Sequence, residues 1–243
     1  MLHMICADLY KTFRRPFFYL FLAGMGVLAV AVNLSISRMA PENATVTNAW
    51  MLVLAYFLSW PMLLMPVLVD LVSAEEYKEH TLKNSVSFGL NRTELYLSKI
   101  VSATVLGAVL GAVALGAYCG SSLLFLRWDP AFQAAFAGDF FRRVGVSCIG
   151  YAAAIPLAAF LAMLLQRNSL FVFAYYGALC LPQLLLQLFR LPQLSGRFLA
   201  MPQFSRIAAG TARQMQASAV VFLVTAAVFL CAGVVLFRKK DIC

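Results

Sequence analysis

The sequence predicts an all-α polytopic membrane protein with six transmembrane helices, an N-terminal amphipathic helix and a cytoplasmic helix between spans two and three. Three observations support this prediction. Hydrophobic residues make up 63% of the 243-residue chain, whereas soluble domains contain about 45–50%. Charged residues make up only 12%, about half of the usual share, so a soluble fold of this size could not cover its surface with polar groups. Six apolar runs also reach the ~20 residues that a helix needs to cross a bilayer.

The same composition excludes several classes of protein. The apolar share is too high for a soluble enzyme, a disordered tail or a disulfide scaffold. The net charge is +9, but the lysines and arginines lie mostly between the apolar runs, which indicates membrane topology rather than nucleic-acid binding. The six cysteines show no C-x-x-C spacing, and four lie inside apolar runs. We therefore expect them to act as small hydrophobic residues rather than as metal ligands.

The six spans are predicted over residues 16–35, 48–73, 97–126, 144–166, 169–189 and 217–237. They form one transmembrane domain over residues 1–243, divided into an interfacial segment (1–15), spans one and two (16–73), a cytoplasmic segment (74–96), spans three to five (97–189), an outer segment (190–216), and span six with a cytoplasmic tail (217–243). All six lysines fall on the side of the N-terminus in this arrangement, and basic residues favour the cytoplasmic side. We therefore expect both termini in the cytoplasm.

The first 15 residues predict an amphipathic helix that lies in the membrane interface. One helical face is apolar and the opposite face is polar. The apolar face consists of Leu2, Ile5, Cys6, Leu9 and Phe13, and the polar face consists of Asp8, Lys11, Thr12 and Arg15. Pro16 then marks the turn into span one. The pattern leaves two interpretations open, an ordinary flank of the first span and a helix with a specific docking role.

The segment between spans two and three carries most of the polar residues on the predicted cytoplasmic side. Glu79 and Lys83 form an i,i+4 pair in the order that stabilises a helix. Gly89 is placed to end that helix, and Asn91 is placed to cap the next one. The stretch from Arg92 to Leu126 would be about 50 Å long as a helix, compared with a hydrocarbon core of about 30 Å. We therefore expect the third span to project several turns into the cytoplasm.

Span two contains residues that interrupt an apolar helix. Pro61 and Pro66 weaken its hydrogen bonding, and Asp70 is ionisable. An ionisable group inside a span is a functional candidate by default. However, Asp70 is only a few residues from Glu75, so it could equally lie at the membrane interface. Both interpretations remain open at this point.

The outer segment contains four arginines and no acidic residue. Its second half places Phe204 and Ile207 along one helical face, opposite Arg206 and Arg213. This pattern predicts an interfacial or re-entrant helix. The arginines could form a basic vestibule for an anionic or amphipathic substrate, or they could contact lipid phosphates.

The sequence lacks the motifs of the common membrane enzymes and ATPases. It contains no H-E-x-x-H, no G-x-S-x-G, and no lysine directly after a glycine, so it has no Walker A motif. We therefore predict no catalytic residue and no metal site. One alternative is a membrane-embedded enzyme that acts on lipid or peptide. Its active site would need four residues to converge, but these residues cluster on one short stretch of surface: Asp70, Glu75, Glu76 and His80. A non-transporting scaffold is the other alternative.

Three stretches carry a resemblance to a known family. They are the N-terminal helix with Lys11, Arg14 and Arg15, the charged stretch from Glu75 to Lys83 followed by Gly89-Leu90-Asn91-Arg92 and Ser98-Lys99, and the ending Phe237-Arg238-Lys239-Lys240-Asp241-Ile242. On these stretches the chain resembles the type-2 ATP-binding-cassette permeases. It is most similar to the short branch that includes lantibiotic-immunity and bacitracin-resistance permeases. His80 stands where glycine is usual in that family.

The resemblance implies roles for particular residues. The N-terminal segment would be an elbow helix, with Lys11, Arg14 and Arg15 as its basic residues. The following residues would couple the chain to the ATP-binding subunit: Glu75, Glu76, Lys78, Glu79, His80, Thr81, Lys83 and Arg92. The outer segment would be re-entrant and close the pathway. The candidates for lining or gating that pathway are Pro61, Pro66, Asp70, Arg206 and Arg213.

The resemblance also implies the assembly. The chain would bind no cofactor of its own, because ATP and magnesium would sit on two copies of a separate ATP-binding subunit. A second copy of this permease or a paralogue would complete the transporter among the lipids of a bacterial cytoplasmic membrane. The exported molecule would be a peptide or an amphipathic compound, pumped out of the cell or expelled from the outer leaflet.

Overall fold

A computed structural model of the chain describes residues 1–78, 91–165 and 168–239, with backbone alone at 73–78, 168, 169, 192, 238 and 239. The described helices are α1 (Leu2–Phe13), α2 (Pro16–Met39), α3 (Val46–Leu52), the π-helix π1 (Val53–Phe57), α4 (Trp60–Lys78), α5 (Arg92–Phe125), α6 (Ala134–Leu165), α7 (Asn168–Leu188), α8 (Pro192–Phe198), α9 (Ala200–Ala209) and α10 (Ala212–Lys239). Five of them are long and apolar enough to cross a membrane, and the bent pair 46–57 and 60–72 makes a sixth if it is counted as one span. The predicted all-α membrane fold is confirmed.

The helix ends define two sides of the bundle. The terminal side contains α1, the start of α5 and the end of α10, where Tyr96 packs against Phe237. The distal side contains the turns after α2 and α5, which pair through the backbone at Thr45 and Arg127. The pair α8 and α9 lies between α7 and α10 in the chain.

Helix α6 lies at the centre of the bundle and packs against α4, α7 and α10. Its buried face is lined mainly by small residues: Ser147, Gly150, Ala153, Ala154, Ala158, Ala159 and Ala162. Small residues allow helix backbones to approach closely in lipid. At Gly150 a β-carbon would come within 2.7 Å of the Phe222 ring, so α10 packs directly on the α6 backbone there.

Helix α2 lies at the edge of the bundle and packs mainly on α5. Its one fully buried polar residue, Asn33, donates hydrogen bonds to the Tyr118 carbonyl at 2.8 Å and to the Ser121 hydroxyl at 2.7 Å. Close by, the Trp50 indole donates to the Ser122 hydroxyl at 2.9 Å. These side-chain bonds hold spans one and two to span three on the distal half.

Span two is broken by 63° between π1 and α4. Pro61 has no backbone N–H, so the regular hydrogen-bond ladder cannot cross this point, and Met62 N–H instead donates to the Ser59 carbonyl at 3.2 Å. Pro66 removes the N–H that would otherwise bond to the Met62 carbonyl four residues earlier. Backbone carbonyls left without partners inside a bilayer are costly, so donors from other groups must replace the missing N–H groups.

Three tyrosine hydroxyls supply those donors from the neighbouring spans. Tyr151 of α6 donates to the Leu58 carbonyl, whose i+4 partner Met62 has turned to Ser59. Tyr175 of α7 donates to the Met62 carbonyl at 2.7 Å, and Tyr176 donates to the Leu63 carbonyl at 2.9 Å. The break in span two is therefore compensated by hydrogen bonds from α6 and α7. Two of the three acceptors, the Leu58 and Met62 carbonyls, are those that the irregular backbone leaves without their usual N–H donors.

We expect Tyr175→Phe to lower the free energy of unfolding by about 1–3 kcal/mol, because it leaves the buried Met62 carbonyl without a donor. The measurement is unfolding of the purified chain in mixed micelles. Tyr56→Phe is the matched control, since Tyr56 is 67% exposed and should show no change.

A second background tests the assigned cause. In a Pro66→Ala chain the new N–H can donate to the Met62 carbonyl, so Tyr175→Phe should cost less there than in the natural sequence. An equal cost in both backgrounds would contradict the role given to Pro66.

Candidate functional site

The predicted coupling residues fall mostly at the gap between α4 and α5. Glu79, His80, Thr81 and Lys83 lie outside the described residues. At Glu75, Glu76 and Lys78 only the backbone is described, and it forms the last turn of α4. Arg92 is described and is the first residue of α5, with a half-buried side chain. The described structure therefore brackets the predicted coupling segment at both ends.

The start of α5 agrees with the sequence prediction. Asn91 is its N-cap, and the Asn91 side chain accepts a hydrogen bond from the Thr93 N–H at 3.0 Å. The helix runs for 34 residues, which is about 51 Å at ~1.5 Å per residue. This length exceeds a hydrocarbon core of about 30 Å, so α5 extends well beyond the membrane core.

Helix α1 is attached to this part of α5 by a buried ion pair. The Lys99 ammonium donates to the Asp8 carboxylate at 2.6 Å, and the two side chains are only 12% and 10% exposed. Ser102 also approaches Asp8, at 3.5 Å. The face of α1 that is buried against the bundle contains Ile5, Asp8 and Thr12, whereas Leu2 remains 75% exposed. Part of the predicted polar face therefore packs on protein.

The three predicted elbow cations occupy different environments. Arg15 is half-buried and donates to the Leu71 carbonyl of α4 at 3.2 Å. Arg14 is exposed and lies 4.6 Å over the ring of Tyr10. Lys11 is also exposed. Arg15 thus joins α1 to α4, while the Asp8–Lys99 pair joins α1 to α5.

Asp70 lies on α4 directly before Leu71, close to the contact made by Arg15. This position is near the terminal end of span two rather than at its middle. Pro61 and Pro66 lie at and beyond the break in the same span. The structure therefore does not bring Asp70 together with the other predicted pathway residues, Arg206 and Arg213, which lie on α9 and α10.

The outer segment, residues 190–216, is called the distal segment from here on and contains two short helices, α8 and α9, joined at Leu199. Gln203 is fully buried and donates to the Gly196 carbonyl at 2.8 Å and to the Leu199 carbonyl at 3.2 Å. The Gln203 side-chain oxygen accepts from the Ser218 hydroxyl at 2.9 Å. A single glutamine therefore ties α8, α9 and α10 together.

Aromatic side chains connect this segment to the broken span. Phe204 of α9 stacks on Tyr151 at 5.4 Å between ring centroids and contacts Phe222 of α10 at 5.2 Å. Tyr151 is the same residue that donates to the Leu58 carbonyl. Helix α9 also packs directly against π1. The segment therefore packs against α6, α10 and π1.

The end of α9 is held by Arg143 of α6, which we call the Arg143 clasp. Arg143 Nη1 donates to the carbonyls of Ile207, Ala208 and Gly210 at 2.5, 3.0 and 3.2 Å. Arg143 Nε donates to the Asp139 carboxylate at 2.5 Å. A cation at a helix C-terminus satisfies its free carbonyls and opposes the negative end of its dipole. The clasp therefore fixes α9 to the central helix.

The predicted distal cations take less part in this packing. Arg206 is half-buried with its guanidinium beside Gly196, and Arg213 is exposed at the start of α10. Sequence reasoning missed Arg143 and Gln203. The i,i+4 spacing of Asp139 and Arg143 was visible, but Gln203 carries no comparable signal. Within the described ranges, no three His, Cys, Asp or Glu side chains are grouped closely enough to hold a metal ion.

We expect Asp8→Asn to lower the free energy of unfolding by about 3–5 kcal/mol, because it leaves the Lys99 ammonium buried without its carboxylate. Unfolding in mixed micelles measures this loss. The double variant Asp8→Asn/Lys99→Met should recover part of the stability, because it removes the isolated charge.

Glu94→Gln serves as the control for that experiment. Glu94 pairs with the N-terminal ammonium in an exposed position, so its loss should cost about 0–1 kcal/mol. Equal effects of the Asp8 and Glu94 variants would contradict a structural role for the buried pair.

The Arg143 clasp predicts faster amide hydrogen exchange in residues 200–210 of an Arg143→Gln variant. The reason is that three carbonyls at the end of α9 lose their donor. Exchange followed by mass spectrometry measures the effect. Arg142→Gln is the control, since Arg142 is more exposed and contacts Asp139 without reaching α9. The same exchange rate in both variants would show that Arg143 does not hold α9.

A comparison with family models finds a match over residues 4–176, to a family described as ABC-2 family transporter protein. The matched range includes α1, the broken span two, α5, α6 and the segment between α4 and α5. No curated protein matches the chain. Because the match covers more than two thirds of the 243 residues, the chain belongs to the ABC-2 family of transporter proteins and is a multi-pass permease subunit of an ABC transporter.

Proposed function

We propose that the chain is the permease of an ATP-driven exporter, and that the segment 74–96 docks on its ATP-binding subunit. The proposal places both termini and the terminal side of the bundle in the cytoplasm. In this assignment α1 is the elbow helix. The residues that contact the partner are Glu75, Glu76, Lys78, Glu79, His80, Thr81, Lys83 and Arg92.

The observation that carries this proposal is the attachment of α1 to both helices that flank the docking segment. The Asp8–Lys99 pair joins α1 to α5, and the Arg15 bond to the Leu71 carbonyl joins α1 to α4. The docking segment leaves from α4 and returns at α5. A partner that moves this segment would therefore move α1, α4 and α5 together rather than bend one of them.

A route from that segment to the distal side follows from span two. Tyr175 and Tyr176 bond α7 to α4, and Tyr151 bonds α6 to Leu58 at the break of span two. The residues at the break also pack against α9. Movement of α4 would therefore reach the distal segment through direct contacts. Pro61 takes part because it lies at the break, and Pro66 takes part because it leaves the Met62 carbonyl free to accept from Tyr175.

The remaining parts of the assembly follow from the family. Two ATP-binding subunits would carry ATP and magnesium, and a second permease, identical or paralogous, would complete the pathway. We propose a peptide or amphipathic compound as the substrate, of the kind handled by lantibiotic-immunity and bacitracin-resistance permeases. A cytoplasmic membrane of a bacterium is the matching location.

The test is gentle detergent purification of the tagged chain from its native membrane, with mass spectrometry of what accompanies it. We expect an ATPase with a Walker motif in near-equal amount. Glu75→Lys/Glu76→Lys should reduce its recovery at least tenfold, because it reverses two charges of the docking segment. Glu42→Lys is the control, as Glu42 is exposed in the distal turn after α2.

The same variants separate docking from folding and test the substrate. A charge-reversed chain with unchanged unfolding but no bound ATPase supports the docking role. Recovery of the chain alone, or of the ATPase with the charge-reversed variant, would contradict it. If the chain exports antimicrobial peptides, cells that carry the Glu75→Lys/Glu76→Lys variant should lose resistance to them, while Glu42→Lys cells should keep it.

A further inference from the structure

The distal segment has an unusual balance of charge. Between residues 190 and 216 the only charged residues are Arg190, Arg197, Arg206 and Arg213. Arg143, which holds the end of α9, is paired with the Asp139 carboxylate, and Arg142 also binds that carboxylate. In the described part of the chain, no hydrogen bond or ion pair involves the side chain of any of these four arginines.

Arg206 is the most constrained of the four. Its side chain is half-buried, and its Nη2 atom lies 2.9 Å from where a β-carbon on Gly196 would be. The guanidinium therefore rests on the bare backbone of α8. A partly desolvated cation without a protein acceptor favours an external anion. Arg197 follows Gly196 directly and is exposed, so two arginines flank the same point of α8.

Apolar side chains adjoin these arginines. Leu194 and Phe198, four residues apart on α8, are 43% and 68% exposed. At the end of α7, Leu188 and Phe189 are 72% and 69% exposed. A short helix with exposed apolar residues beside arginines suits the boundary between acyl chains and headgroups. The planar guanidinium can bind a phosphate through two parallel hydrogen bonds.

We propose that α8 and α9 form a binding surface for an anionic phospholipid. Arg197 and Arg206 bind its phosphate beside Gly196, and Leu194 and Phe198 contact its acyl chains. Arg190 and Arg213 add positive charge around the headgroup. The bound lipid supplies Arg206 with an anion, which the described residues do not. It thereby stabilises the distal segment at the membrane surface. This inference does not depend on the proposed export, because lipid binding is measured on the purified chain without ATP.

The experiment counts lipids retained by the purified full chain in native mass spectrometry, after addition of phosphatidylglycerol or phosphatidylcholine. We expect selective retention of phosphatidylglycerol. Arg197→Gln/Arg206→Gln should reduce it at least fivefold. Arg38→Gln/Arg127→Gln is the matched control, because both arginines are exposed and lie on the distal side outside this surface. Its retention should equal that of the natural chain.

Two further arms separate the possible outcomes. Inorganic phosphate at millimolar concentration should not displace the lipid if the acyl chains contribute, whereas complete displacement would reveal a site for the free anion and overturn the lipid assignment. Gly196→Ala, which must shift the Arg206 guanidinium, should give intermediate retention. If the double variant retains as much phosphatidylglycerol as the natural chain while its unfolding is unchanged, the surface does not bind lipid. If that variant does not fold, the single variant Arg197→Gln decides the question by the same count.

Discussion

The structure depends on one requirement, that every backbone carbonyl inside the bilayer finds a hydrogen-bond donor. Span two fails to meet this requirement by itself, since Pro66 cannot donate to Met62 and Met62 turns away from Leu58. The donors come from tyrosines on α6 and α7. Because the broken helix is completed by its neighbours, it cannot move independently of them, and the bundle around α6 forms a connected unit.

The two sides of the bundle use different chemistry to attach their peripheral helices. On the terminal side a buried ion pair and an arginine–carbonyl bond attach α1 to α5 and α4. On the distal side Arg143 binds the carbonyl end of α9, and Gln203 joins α8, α9 and α10. Of these attachments, Arg143 lies on the central helix α6, and the others reach the spanning helices α4, α5 and α10. A family that couples a cytoplasmic ATPase to events across a membrane requires mechanical connections of this kind, and α4 with its break lies between the two sets.

Two arginines on the distal side, Arg143 and Arg206, have different surroundings. Arg143 is fully engaged by Asp139 and by three carbonyls, so it is a structural residue. Arg206 lies on the neighbouring surface, but Gly196 leaves its guanidinium against backbone with no acceptor among the described residues. Two arginines that are close in space therefore lie in different environments. Arg143 is bonded within the protein, whereas Arg206 has no acceptor among the described residues.

The sequence by itself determined the all-α membrane fold, the capped start of α5 at Asn91 and Arg92, and the family. These follow from local properties, because apolar runs, proline positions and cap residues act within a few neighbouring residues. It also indicated that Phe204 and Ile207 share one helical face, since their spacing follows the helical period, and the structure shows both residues buried. Only the tertiary structure decided which polar groups meet. Tyr175 and Met62 are 113 residues apart, Lys99 and Asp8 are 91 apart, and Arg143 and Ile207 are 64 apart. In two of these pairs the acceptor is a backbone carbonyl, which every residue possesses, so the sequence holds no mark of the partner, and the packing of the helices selects it.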